Sequence, residues 1–123
     1  MTHAQSKDGH TTRFSPYREA GGFVFVSGQA SVDASGSIVP GTFEEEMRRS
    51  IENVRRILAD AGLTLRDVVK VGAYVTDAKD VPEFNRIYPE YFGDPLPART
   101  TLTGCLSSRI KFEIDVVAYS DDR

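Results

Sequence analysis

At 123 residues, with a formal net charge of -3, 40% apolar and 27% charged residues, the chain is sized for one globular domain with a core of its own. Its basic residues are scattered and do not form a stripe interleaved with aromatics, which argues against a nucleic-acid surface. No run approaches the roughly 18 to 20 apolar residues of a spanning helix, so no membrane partner is expected either. The polar opening Met1–His10 lacks the apolar segment of a signal peptide, and the single cysteine, Cys105, cannot close an internal disulfide. Both point to a reducing, cytoplasmic setting, with residues 1–10 as a flexible tail and 11–123 as the domain. His3 and His10 lie in that tail, away from any cluster at ligand spacing, so neither a metal nor a cofactor is expected.

In chain order, Thr11–Phe14 reads as a short strand stopped by Ser15-Pro16, because proline lacks the ladder donor. Gly21-Gly22 marks a turn before Phe23–Gln29, a β-branched and aromatic run that reads as a buried strand ended by Ser27 and Gly28. Asp33–Gly36 signals another turn, and Ser37–Val39 a brief returning strand, completing a hairpin. Thr42 with Glu45 three residues on forms a capping box, and Met47, Ile51, Val54, Leu58 and Ala61 recur at helical spacing as far as Gly62. Arg48, Arg49, Arg55 and Arg56 share this helix with Glu45 and Glu52, which favours a salt-bridged, solvated face over a basic binding patch.

Val68–Thr76 is apolar on both faces over much of its length and reads as the central strand, with Gly72 allowing close approach. A second helix starts at Asp80, with Glu83 at its third position, and displays Val81, Phe84, Tyr88 and Tyr91 or Phe92. Pro89 removes the bond to the Asn85 carbonyl and distorts that turn. The strand Ala98–Thr103 follows, and the last strand, Ile110–Tyr119, alternates, with Ile110, Phe112, Ile114, Val116 and Ala118 on one side and Lys111, Glu113 and Asp115 opposite. The order implies an α+β fold, helices on one sheet face, built from two β-α-β halves. The other face carries Arg99, Thr101, Glu113 and Asp115 beside Val117. Such a mixed face is wet or joined to another subunit, and a site between copies suits so small a domain.

Arg99 is the leading candidate for chemistry. Alternation sets Arg99, Thr101 and Thr103 on one face of their strand, a guanidinium beside two hydroxyls, and such a fork holds a carboxylate bidentately. A strand arginine facing water is the plain alternative. Glu113 reads equally as a hydrated-face acid, Tyr17 as a strand-end packing residue, Asn85 as a helix-surface amide, Ser27 as a strand terminus and Gly28 as a turn glycine.

Taken together, Ser15-Pro16-Tyr17, Val26-Ser27-Gly28-Gln29, Pro97-Ala98-Arg99 and Lys111-Phe112-Glu113-Ile114, with Asn85 ahead of Tyr88–Phe92, resemble the RidA (YjgF) family of reactive-intermediate deaminases. The likeness runs from about Phe14 to Tyr119. It implies a chorismate-mutase-like α+β fold, a mixed sheet with two helices on one face, closed into a trimeric barrel. It also implies sites between the subunits of the homotrimer, with no cofactor. By the resemblance, Arg99 grips the carboxylate of a small imino or enamino acid and Glu113 places the hydrolytic water, releasing a 2-oxo acid and ammonia. Tyr17, Ser27, Gly28 and Asn85 fall on positions that line the pocket, as does Thr101. Family deaminases often carry cysteine where Thr101 stands, and that role does not pass to Cys105, which reads as a small packed or interface thiol. The competing class is a non-catalytic trimer that binds a small carboxylate such as a 2-oxo acid.

Overall fold

Five strands and two helices make up the computed structural model, which describes residues 13–121. The strands are β1 (Tyr17–Ala20), β2 (Phe23–Ala30), β3 (Val68–Val75), β4 (Ala98–Thr103) and β5 (Phe112–Tyr119), in the sheet order β1-β2-β5-β3-β4. All neighbours are antiparallel except β3 and β4, which are parallel. The tail at 1–10 and the first two residues of the strand expected at Thr11–Phe14 lie outside the described residues. Arg13 and Phe14 form a bend, and the first strand begins after Pro16, at Tyr17. Proline thus precedes the ladder instead of ending it, a position where its missing donor costs nothing.

Paired with β2 on one side and β3 on the other, β5 is the middle of the sheet, and its burial alternates strictly from Phe112 to Ala118. Phe112, Ile114, Val116 and Ala118 are buried, while Glu113, Asp115 and Val117 between them face the opposite side. β3 therefore sits one place off centre, between β5 and β4. Helix α1 (Phe43–Asp60) lays Met47, Ile51, Val54 and Leu58 on the β5 and β2 core residues, each fully buried. The capping box is present: Thr42 Oγ1 accepts from the Glu45 amide and Glu45 accepts from the Thr42 amide. Ala61 caps the far end, and Gly62 follows at φ 80°, the left-handed position where glycine avoids strain.

The hairpin expected to return through Ser37–Val39 is reduced to a single bridge between Val32 and Ile38. Asp33 accounts for it, since its carboxylate accepts from the amides of Ser35 and Ser37 and ties the loop to itself. Helix α2 (Val81–Ile87) begins at Asp80, but Asp80 makes no side-chain cap; Asp77 instead caps the short 3₁₀ turn Ala78–Asp80 before it. At Pro89 the α-helix gives way to a 3₁₀ turn, Tyr88–Glu90, as the lost hydrogen bond requires. The arginine-rich side of α1 is indeed paired: Arg48 bridges Glu44 and Glu90, and Arg55 pairs with Glu52. Glu45 is spent on the cap instead.

Among the described residues Glu46 is the one fully buried acid. Its carboxylate accepts from the amides of Lys111 and Gly41 and from Lys111 Nζ, fastening the approach to β5 against α1. Glu46→Ala leaves two amides unpaired, and it should lower unfolding free energy by about 2 to 4 kcal/mol. A urea titration should show this as an earlier midpoint at unchanged slope.

Candidate functional site

Arg99 lies on β4, an edge strand, directly across from Val71 of β3. Because Val71 is fully buried on the helix side, Arg99 also leaves the sheet on that side. There its guanidinium meets two rings, 4.7 Å from the Phe84 centroid and 4.8 Å from that of Tyr88. The rings stand four residues apart, on one face of α2 and the turn that continues it. Among the described residues no ion pair or hydrogen bond engages the Arg99 guanidinium. Two buried hydroxyls also lack hydrogen-bond partners, Tyr88 Oη and Thr101 Oγ1. Burial pushes the Tyr88 phenol up to about 12, against a smaller opposing pull from Arg99, so it stays a proton donor at neutral pH. Thr101, two residues beyond Arg99, shares its face, across from Ala73. The result is an exposed, acid-free cation with two unspent hydroxyls on the same side of the sheet, a chemistry suited to a small anion.

Glu113 stands on the other side. It faces away from the helices on β5, and its carboxylate occupies space that only a glycine leaves open: a Cβ on Gly28 would come 2.1 Å from Oε2. Gly28 and Ser27 sit where the register between β2 and β5 shifts, between Val26 and Gln29. β2 accordingly continues through them to Ala30 instead of ending there. Ser27 Oγ donates to the Ser15 carbonyl at 2.6 Å, and its amide to the Pro16 carbonyl at 2.9 Å, which pins the entry to β1. Burial first, and the nearby Asp115 charge second, hold the Glu113 carboxyl above its ordinary range.

The expectation that Arg99 and Thr101 share a face with Glu113 and Asp115 is therefore corrected. Parallel pairing matches Arg99 to Val71, whereas Glu113 is matched to Tyr74, which belongs to the opposite side of β3. β3 also separates the two strands, a lateral gap of about 10 Å. Tyr17 lies at the far edge, on β1 across from Val26, packed against the core. Asn85 is exposed on α2, next to Phe84. Within one chain the candidates thus form two groups, Arg99 with Thr101 on β4 and Glu113 with Ser27 and Gly28 on the open face, while Tyr17 on β1 and Asn85 on α2 stand apart. Phe84 and Tyr88, which sequence reading assigns only to a helix face, are the walls of the first group. Their i,i+4 aromatic spacing is the signal that marks them.

Phe23, Phe25 and Leu102 leave large apolar surfaces exposed on the open face, and Phe23 packs 4.8 Å from Tyr119. A cleft of about 500 Å³ borders this face between Arg13, Phe14, Arg18, Phe25 and Ser27. A second, of about 430 Å³, lies between Arg66, Tyr91 and Pro95. Neither contains Arg99 or Glu113. Among the described residues no group of His, Cys, Asp and Glu is arranged to hold a metal, and no helix is long and apolar enough to cross a membrane.

An α+β sheet of this order, backed by two helices, recurs in solved structures. The yeast Mmf1 structure superposes with a TM-score of 0.83 at 29% identity, covering 97% of this chain and 94% of that one. A structure of Escherichia coli TdcF with bound serine gives 0.80 at 30% identity, covering 89% and 90%. The family model described as Endoribonuclease L-PSP matches residues 6–120. A RutC family protein of Pyrococcus abyssi is 40% identical over 111 residues, 86% of this chain and 87% of its own. TdcF, which bears the name of a reactive intermediate deaminase, is 31% identical over 104 residues, 81% of each chain. The chain belongs to the RidA family, the family also described by the names L-PSP and RutC.

The close contact at Gly28 yields a direct test. Gly28→Ala should displace the Glu113 carboxylate and cost about 1 to 2 kcal/mol, and Glu113→Ala in the same chain should recover most of that loss. Chemical denaturation of the two single variants and the double variant measures the coupling.

Proposed function

We propose that the protein hydrolyses small 2-imino and 2-enamino acids, 2-aminoacrylate being the simplest, to 2-oxo acids and ammonia, with no metal or cofactor. The observation carrying this reading is Arg99, a cation between two rings with no acid to neutralise it and two buried hydroxyls unspent on its side of the sheet. A carboxylate ligand satisfies that arrangement. The relative named as a reactive intermediate deaminase supports the reaction class. A net charge of -3 without a basic stripe favours this small substrate over the RNA that the family description evokes.

Because Arg99 and Glu113 leave opposite faces of one sheet, the site on this reading is completed between copies, Arg99 of one facing Glu113 of the next. The apolar open face supports such packing, and a homotrimer closed into a barrel is the assembly proposed. Tyr17, Ser27, Gly28, Asn85 and Thr101 shape the pocket, Thr101 supplying a hydroxyl where relatives often have a thiol. A cytoplasmic location belongs to the same reading.

In the reaction, Arg99 holds the substrate carboxylate so that the C=N carbon is fixed near the water on Glu113. An enamine substrate first takes a proton from solvent at C3 to become the protonated imine; Glu113 then takes one proton from the water as its oxygen bonds to the C=N carbon and the double-bond pair moves to nitrogen, giving a carbinolamine. Glu113 passes that proton to nitrogen and then takes the hydroxyl proton as the C–N bond breaks, so that ammonia leaves, the 2-oxo acid carbonyl forms and Glu113 gives its proton to solvent. Carboxylate binding without turnover is the second reading, favoured by the serine in the TdcF structure. Release of ammonia separates the two.

Arg99→Ala should fold and lose about 100-fold or more in kcat/KM on enzymatically generated 2-aminoacrylate. Glu113→Gln should lower kcat by roughly 100-fold or more while affecting binding of a 2-oxo acid far less. Mixed oligomers of the two inactive variants should regain activity, because some interfaces then pair an intact Arg99 with an intact Glu113. Activity retained by Arg99→Ala, or no recovery on mixing and reassembly, overturns the reading.

A further inference from the structure

Glu113 has a neighbour that the proposed hydrolysis leaves without a task. Asp115 follows two residues later on β5 and so faces the same side, roughly 7 Å along the strand. Its carboxylate is not loose. Tyr74 Oη donates to Asp115 Oδ2 at 2.7 Å, and Asp115 Oδ1 lies where a side chain on Gly72 would be, 2.6 Å from an ideal Cβ. Gly72 therefore does for Asp115 what Gly28 does for Glu113: each of the strands flanking β5 contributes one glycine beneath one carboxylate. Two acids are thus seated side by side on a half-buried surface, where the Asp115 charge makes ionising Glu113 more costly.

We propose that Asp115, seated over Gly72 and held by Tyr74, is a positioning residue whose fixed negative charge sets the pH range over which Glu113 gives up and takes back its proton. The assignment rests on Glu113 handling the hydrolytic water. Asp115 need not touch substrate; its hydrogen bond to Tyr74 holds it in place while Glu113 changes state. The other charged groups on this face are more distant in the sheet. Lys70 of β3 is turned to Thr100 Oγ1, with which it bonds at 2.9 Å, and Arg18 lies on the edge strand β1 across from Phe25. Cys105, past the end of β4, acts weakly on Tyr74. On β2, the neighbours are Phe23, Phe25 and Gly28, which carry no charge. In an assembled site Arg99 of a second copy is the cation opposite, and the substrate carboxylate offsets it.

The same arrangement leaves its mark on Tyr74, whose phenol is pushed up to about 12, chiefly by its hydrogen bond to Asp115. Glu113 is raised in the same sense by burial and by Asp115. As a base Glu113 must be ionised, so a raised affinity for its proton places the acid limb of the kcat profile at higher pH. Removing the neighbouring charge moves that limb down.

The test is a carboxylate ¹³C NMR titration of the full chain, wild type, Asp115→Asn and Tyr74→Phe, with and without pyruvate, beside pH profiles of kcat and KM. Asp115→Asn should move the Glu113 midpoint, and the acid limb of kcat with it, down by about 1 pH unit, with KM changed less than twofold. Tyr74→Phe, which frees the Asp115 side chain to move away from Glu113, should lower the Glu113 midpoint in the same direction by a smaller amount. A Glu113 midpoint unmoved by Asp115→Asn in a folded chain overturns the proposal; if that variant does not fold, a Glu113 midpoint unmoved by Asp115→Ser does so. The deaminase reading fails separately, by absence of ammonia release from wild type, and the titrations without pyruvate still decide the pair.

Discussion

The pleat of β5 constrains everything around it. With Phe112, Ile114, Val116 and Ala118 sealed beneath the helices, Glu113 and Asp115 have one face available to them. A slip of a single residue would bury both carboxylates and expose four core side chains, so the register is strongly specified. β3 takes its register from β5 through Ala73 and Ile114, and β4 takes its own from β3. By that chain of pairings Arg99 falls opposite Val71 and emerges on the helix side.

Separating Arg99 from Glu113 by the sheet has an electrostatic logic. Side by side in one chain, a guanidinium and a half-buried carboxylate would pair, and a ligand anion would then have to compete for the cation. Here Arg99 is supported instead by the faces of Phe84 and Tyr88, which steady a cation without neutralising it. Glu113 is surrounded by glycine and another acid, surroundings that favour holding a proton over forming an ion pair.

Helix α1 sets the scaffold on which this rests, and its three opening acids divide the labour. Glu44 pairs with Arg48, Glu45 closes the capping box, and Glu46 turns inward to bind the amide and ammonium of Lys111. The last contact ties the first turn of the helix to the residue that precedes β5. The strand bearing Glu113 is thereby anchored at its start by a hydrogen-bonded buried group, not by apolar packing alone.

Local periodicity carried most of the fold. The α1 stripe, its capping box, the distortion at Pro89 and the alternation of the last strand are written within a few residues of one another, so the sequence by itself determined these elements and the α+β class. The likeness to the RidA family, read on Ser15–Tyr17, Val26–Gln29, Pro97–Arg99 and Lys111–Ile114, was legible in the same way. Which face each candidate occupies was not, because a face is defined only by the neighbour across the ladder, and the pairing of β4 with β3 is nonlocal. Tertiary structure alone put β5, not β3, at the centre, reduced Ser37–Val39 to a bridge in favour of the Asp33 loop, and set Arg99 apart from Glu113. It also brought Gly28 and Gly72, far apart in the chain, beneath two adjacent carboxylates, a contact made by strand pairing that no spacing within either segment encodes.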